Sequence, residues 1–559
     1  MQSSLKRKKN CDITKEPAST PVLFFACTAA SAIDNSGQKW YKSYAVKCRR
    51  RKRLNSKNKD TRERSWGIQM VDFEKRLKEI DEVIEKGPFK ADWTSLTKWR
   101  TPQWFEDVKF GIFIHWGVFS VPAFANEWYS RSMYCQGTRE FEHHVKTYGP
   151  QKDFGYKDFI PMFKAEHFNA SEWMDLFKRS GAKYVVPVAE HHDGFQMYES
   201  EMSHWNVKEM GPKRDVIGEL KKAADEQGIV FATSSHRAEH YWFMGPGREF
   251  ESDVNDSVKY GDLYWPSVKE QPEHWDVHSP VASSKEFLDD WLLRCCEIID
   301  KYKPALLYFD WWIIHESYKE HLKKLMAYYY DRAAEWGREV AIIYKHDPVP
   351  FGSAVPDVER GKFGSTQPYH WQTDTAIAYN SWCYIEGLDY KNADEIIAYL
   401  VDVVSKNGNL LLNIGPKSDG TIPDEDKKIL LEIGKWLETN GEAIYGTKPW
   451  KIAAEGPTKE EEGKFSDVKG KAYTAEDFRF TCGNGAVYAI SLNYPENGEL
   501  LVKALGNHDF NSLGFQGIVK RVSVLGHGEV PYEYGNDGLK VHGPKIGTTK
   551  PVVIKVETD

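Results

Sequence analysis

One aspartate stands out by its position. Residues 305–309, Ala-Leu-Leu-Tyr-Phe, form an apolar run that ends in Asp310 and two tryptophans, Trp311 and Trp312. Such a run reads as an inner strand. A carboxylate at its end can attack an electrophilic carbon, and indole faces stack on the apolar faces of sugars, so the trio suits cleavage of a glycosidic bond, with Trp312 as a sugar contact. The bland alternative is an aspartate that caps the next helix. A second group, His191-His192-Asp193, has metal-ligand side chains. Neighbouring side chains on a strand face opposite ways, and neither a His-x-x-x-His spacing nor a second ligand set accompanies the group. Hydrogen bonding to hydroxyls is therefore its better use, and no metal is expected.

These residues need elements that hold them together. From about residue 100 to 440, short apolar runs alternate with helix-length periodic segments, the pattern of β-α repeats around a parallel sheet. The runs are 110–114, 184–188, 229–232, 305–309, 340–344 and 410–414. Each is followed by polar or aromatic residues, among them His115, His191, His192, His236, Asp310 and Lys345. A barrel keeps its active site at those carboxyl ends. Asn169, Ser283 and Asn392 each precede a glutamate by three residues, which marks helix starts. In the second of these helices Phe287, Trp291, Cys295, Ile298 and Tyr302 share one face. No glycine-rich dinucleotide fingerprint supports an open doubly wound sheet. Beyond Trp450 the pattern becomes alternating and β-branched, with a hairpin expected at 478–492 around Asn484-Gly485. The expected organisation is a basic extension over 1–69, a (β/α)8-like barrel over 70–449 and a β-sandwich over 450–559.

Charge is uneven along the 559 residues. The first 69 carry 17 Lys/Arg against five Asp/Glu, so the remainder is more acidic than the overall −7. An acidic body is a poor nucleic-acid or anionic-membrane binder and suits a neutral substrate. No apolar stretch is long enough to span a membrane. The basic extension reads as disordered, and its short apolar stretch at Val22–Ala26 is a weak secretory signal. Met70, directly before an amphipathic helix, reads as the more natural start. The eight cysteines show no Cys-x-x-Cys pair, favouring free thiols and a cytoplasmic setting over export.

Three stretches carry a family resemblance: WFEDVKFGIFIHWGVFSVPAFANEWYSRSMY (104–134), GAKYVVPVAEHHDGF (181–195) and SKNGNLLLNIGPKSDGTIP (405–423). Together they resemble the α-L-fucosidases of glycoside hydrolase family 29, from about residue 71 to the C-terminus. The resemblance implies a retaining exo-fucosidase with a TIM barrel and a β-sandwich, and no metal or cofactor. Its substrate would be a fucosylated oligosaccharide or glycoconjugate; homo-oligomers are compatible with it. It further implies that Asp310 is the nucleophile and that His115, Glu127, Trp128, His191 and His192 bind fucose.

The acid/base is assigned to Glu359 by its distance from Asp310 in the resemblance, with His346 and Glu386 as rivals. Gln372 stands where many relatives have glutamate, and an amide cannot shuttle a proton. Lys345 occupies a segment where relatives supply an arginine, and Ser234-Ser235-His236 replaces a common tyrosine-serine strand end. Lys345 and His236 are thus further substrate-binding candidates. A silent fucose-binding protein and a glycosidase for another sugar with an axial hydroxyl, such as a galactoside, are the alternative functions.

Overall fold

The computed structural model describes residues 72–269, 282–467, 469, 472–507 and 514–559. The expected basic extension lies outside the described residues, as does Met70. The helix after it, Phe73–Lys86, buries Ile80 and Ile84 and is capped by Asp72, whose side chain accepts from the Lys75 amide.

Nine strand segments fill eight positions of a parallel barrel. They are β1 (Phe110–Ile114), β2 (Tyr184–Glu190), β3 (Val230–Phe231) with β4 (Thr233–Ser235), β5 (Leu306–Phe309), β6 (Ala341–Tyr344), β7 (Val355–Pro356), β8 (Trp371–Ala376) and β9 (Gly408–Ile414). Hydrogen bonds run in the order β7-β6-β5-β4-β2-β1-β9-β8, with β3 also on β2. The seam closes where Asp357 pairs in parallel with Gln372 and the Val358 N–H donates to the Gln372 carbonyl at 3.0 Å. Six of these positions match the apolar runs. β7 and β8 do not: β7 is two residues long, and β8 reads Trp-Gln-Thr-Asp-Thr-Ala, a polar segment that is nonetheless wholly buried.

Register decides what meets at the rim. Ser235 pairs with Phe309 and Tyr308 with Ile343, so His236, Asp310 and Lys345 leave the sheet at nearly one level. Helices cover the outside. Lys285–Tyr302 buries Phe287, Trp291, Cys295, Ile298 and Tyr302 as its periodicity demands, but its cap is Ser284, one residue later than expected, accepting from the Phe287 amide. Asn169 caps as read, and Asn392 and Glu395 cap each other reciprocally.

From Lys448 onward the strands are antiparallel. A six-stranded sheet runs Lys448–Glu455, Phe478–Gly483, Ala486–Ser491, Val552–Thr558, Val519–Val524, Gly528–Glu529, and a three-stranded one Glu499–Val502, Gly538–His542, Tyr532–Gly535. Phe478, Phe480, Val522 and Ile554 from the first share a core with Leu500, Val502, Leu539 and Val541 from the second, which makes a sandwich. In the hairpin Asn484 and Gly485 have φ of 52° and 73°, both left-handed as the two-residue turn requires.

Candidate active site

A cavity of about 220 Å³ opens at the carboxyl ends of the barrel strands, lined by residues that include His115, Glu127, Trp128, His191, His192, His236, Asp310, Trp311, Lys345 and Glu359. Asp310 is held on both oxygens. Oδ1 accepts the Trp311 amide at 2.8 Å and faces Lys345 Nζ at 3.4 Å. Oδ2 faces His192 Nε2 at 3.5 Å and His236 Nδ1 at 3.4 Å. The side chain thus caps the short turn Trp311–Ile314 and also enters the cavity, so the two readings of an aspartate here are not exclusive. Burial disfavours its charge, yet Lys345, His192 and His236 together hold it well below the usual carboxylate range.

The imidazoles have assignable roles. The Asn413 amide N–H donates to the Trp382 carbonyl at 2.6 Å, which turns its oxygen to His115 Nδ1, also at 2.6 Å. Nδ1 of His115 must therefore carry the proton, and its Nε2 is left as an acceptor. Burial keeps this ring and His191 well below the ordinary histidine value, so both are neutral, and Nδ1 of His191 has no hydrogen-bond partner among the described residues. His192 differs: burial opposes its charge, but Glu239 at 3.1 Å and Asp310 raise it to about 9. It is an imidazolium donating to Asp310. Glu127 accepts the Trp382 amide at 3.2 Å, and burial raises its pKa. Trp128 packs edge-on against His192 at 5.6 Å.

Lys345 links the nucleophile candidate to a second carboxyl. Its Nζ lies 3.1 Å from Glu359 and 3.2 Å from Asp374 as well as 3.4 Å from Asp310. One ammonium cannot neutralise three carboxylates. Burial first, then the Asp374 and Asp310 charges acting against Lys345, lift Glu359 to about 7. A neutral acid and an ionised carboxylate side by side are what acid-assisted displacement needs.

The residues expected to act together do meet, with one exception. Trp312 is buried against Trp242 and His315 and does not line the cavity; its neighbour Trp311 does. The turn after Asp310 rotates the pair so that only one indole can face inward. His191 and His192 correct another expectation. β2 ends at Glu190, the alternation of a strand ends with it, and both rings line the cavity with centroids 4.4 Å apart.

A model of the α-L-fucosidase family matches residues 77–442. The chain belongs to that family. It is 33% identical to the tissue α-L-fucosidase of Homo sapiens over 448 residues, 77% of this chain and 85% of that protein. Its structure resembles the Thermotoga maritima α-fucosidase in complex with fucose, at 31% identity and a TM-score of 0.66, covering 84% of this chain and all of that one. α-L-Fucosidase isoenzyme 1 of Paenibacillus thiaminolyticus, 22% identical with a TM-score of 0.60, shares the fold.

His346 and Glu386, the rivals for the acid role, do not line the cavity. Gln372 is bonded to Tyr184 and Asp357 inside the barrel. Glu386 is exposed. His346 lies outside the lining, and burial and Lys464 lower it to about 4. Sequence reasoning missed Asp374, Trp382 and Phe465, all of which line the cavity. Two residues along from Gln372, Asp374 shares its face of β8; that spacing was the available signal, hidden because the segment is too polar to read as a strand. Ligand atoms of His115, His191 and His236, and of His192, His236 and Asp310, lie within 4.8 Å of one another. In the second set the Asp310 carboxylate already faces the donor nitrogens of His192 and His236, and in the first His115 offers Nε2 as an acceptor.

No described helix is long and apolar enough to cross a membrane.

Proposed function

We propose that this α-L-fucosidase family member removes terminal α-L-fucosyl residues from fucosylated glycans with retention, using Asp310 as nucleophile and Glu359 as acid and base. The observation that carries this is the Lys345 ammonium touching both carboxylates, which supports the short separation of about 5 Å used in double displacement rather than the wider gap that admits water. Asp310 attacks the anomeric carbon as Glu359 gives its proton to the departing oxygen. The Asp310 charge is consumed in the new ester bond while Glu359 becomes a carboxylate, so Lys345 retains an anionic partner throughout. Glu359 then takes a proton from the water that cleaves the ester. In this reading His115 Nε2, His191, Glu127 and Trp128, all on the cavity wall, hold the sugar. The buried thiols of Cys295, Cys296 and Cys383 support a reducing, cytoplasmic setting.

The test is Asp310→Gly with azide. Turnover should fall by at least about a thousandfold, and azide should restore it on an activated aryl fucoside while giving the inverted β-fucosyl azide. Normal turnover by this variant would refute the assignment. First-formed α-L-fucose from the unaltered protein, seen by NMR, is the matching sign of retention.

A further inference from the structure

The cavity at the barrel rim is not walled by barrel residues alone. Phe465 lines that cavity yet is 62% exposed, and it comes from the segment between the first two strands of the sandwich, far along the chain from the barrel. Its backbone is left-handed, with φ of 55°, a strained conformation for a bulky residue that persists only where its surroundings impose it. Those surroundings are specific. Gly463 and Lys362 exchange backbone hydrogen bonds at 2.9 and 3.2 Å, the Phe465 amide donates to the Glu359 carbonyl at 3.0 Å, and the Asp467 amide donates to the Arg360 carbonyl at 3.0 Å. The Asp467 carboxylate is tied to Thr375 at 2.6 Å, Lys391 at 2.7 Å and Arg360 at 3.2 Å. Residues 463–467 form a strap fastened on both sides that holds out one aromatic ring.

A second cleft, of about 490 Å³, lies beside it and is lined by His346, Asp347, Phe351, Tyr369, Glu462 and Lys464, among others. Phe351 is also 62% exposed and stands edge-on to Tyr369 at 4.7 Å. The two spaces adjoin: Trp311, on the cavity wall, lies 5.9 Å from the His346 ring, and Lys464 Nζ, next to Phe465 in sequence, reaches that ring at 3.0 Å. Exposed aromatic faces interleaved with both hydrogen-bond donors and acceptors suit neutral sugar rings, whose C–H faces stack and whose rims carry hydroxyls.

We propose that the strap and this cleft bind the leaving-group sugars of an oligosaccharide substrate, with Phe465 as the platform for the sugar bonded to fucose and Phe351 with Tyr369 for the next one. The inference rests on the fucosidase reading and adds the class of substrate, a fucose-capped chain of at least three sugars. The position of Phe465 above the Glu359 backbone places that first sugar where its glycosidic oxygen meets the acid.

The experiment compares methyl α-L-fucoside with a fucosylated disaccharide and trisaccharide in the full-length protein. Both kinds of substrate need acid assistance, but the methyl group offers nothing to stack. Phe465→Ala should lower kcat/KM for both oligosaccharides at least about tenfold more than it lowers that for methyl fucoside, with Phe465→Trp restoring the ratio. Phe351→Ala should lower the trisaccharide value alone. Equal losses on all substrates would mean that Phe465 acts only by holding Glu359, and no loss on any would mean the strap touches no sugar; either overturns the proposal. Failure of the unaltered protein to hydrolyse any fucoside would instead overturn the functional reading itself and the cleft assignment with it.

Discussion

Two buried charge clusters in this protein have opposite stoichiometry. At the rim of the barrel, one ammonium, Lys345, faces three carboxylates, Asp310, Glu359 and Asp374. Behind β8, one carboxylate, Asp402, receives three cations, Lys362, Lys406 and Arg479, with Glu460 bracing Lys362 and Arg479 from the other side. Burial pushes Asp402 up, but its cations hold it far below the usual range, so it stays charged at any ordinary pH and the cluster is fixed. At the rim the surplus is negative, and the structure relieves it by leaving Glu359 protonated near neutrality. The same physics makes a clamp in one place and an acid in the other; the count of charges decides which.

The comparison can be broken most severely at the acid itself. Glu359→Gln should cut kcat on glycan substrates by roughly 10²–10⁴-fold and remove the alkaline limb of kcat/KM, which in the unaltered protein should fall as pH rises through about 7. The acid limb should lie well below the ordinary carboxylate value because Asp310 stays ionised there. Asp402→Asn attacks the clamp instead. Leaving buried cations without their shared partner should cost about 3–5 kcal/mol in denaturant unfolding, while the surviving activity keeps its pH profile; a shifted profile would show that the two clusters are coupled.

Two smaller effects test the count of charges by sign. Lys345→Met removes the cation that opposes protonation of Glu359, so the alkaline limb should move to higher pH by about one unit or more. Asp374→Asn removes an anion that favours protonation, so the limb should move to lower pH by a similar or smaller amount, with the Tyr308 hydroxyl, 2.8 Å away, still able to donate to the amide oxygen. Shifts in the same direction for both variants would contradict the proposed arrangement.

Residue order alone carried much of this. Apolar runs at 110–114, 184–188, 305–309, 340–344 and 410–414 marked barrel strands because a strand covered on both faces must be continuously apolar. Asp310 was visible as the residue that follows one. The closing strands were not legible, since β8 is polar: its Gln372 and Asp374 face a barrel interior in which Tyr184 and Asp357 bond Gln372 while Tyr308 and Lys345 reach Oδ2 of Asp374, and partners so far apart in sequence leave no local signature. For the same reason the choice between Trp311 and Trp312 was open until the turn after Asp310 set which ring faces inward. What the sequence by itself determined is the alternation of six of the eight barrel strands with helices, two of the three helix caps, the hairpin turn and the place of Asp310 as a carboxylate at a strand end, all of them consequences of local periodicity and residue chemistry. What only the tertiary structure decided is which carboxyl keeps its proton, because that depends on burial and on how many charges share one ammonium, and which aromatic rings from residues 346–351 and 463–467 are brought beside it.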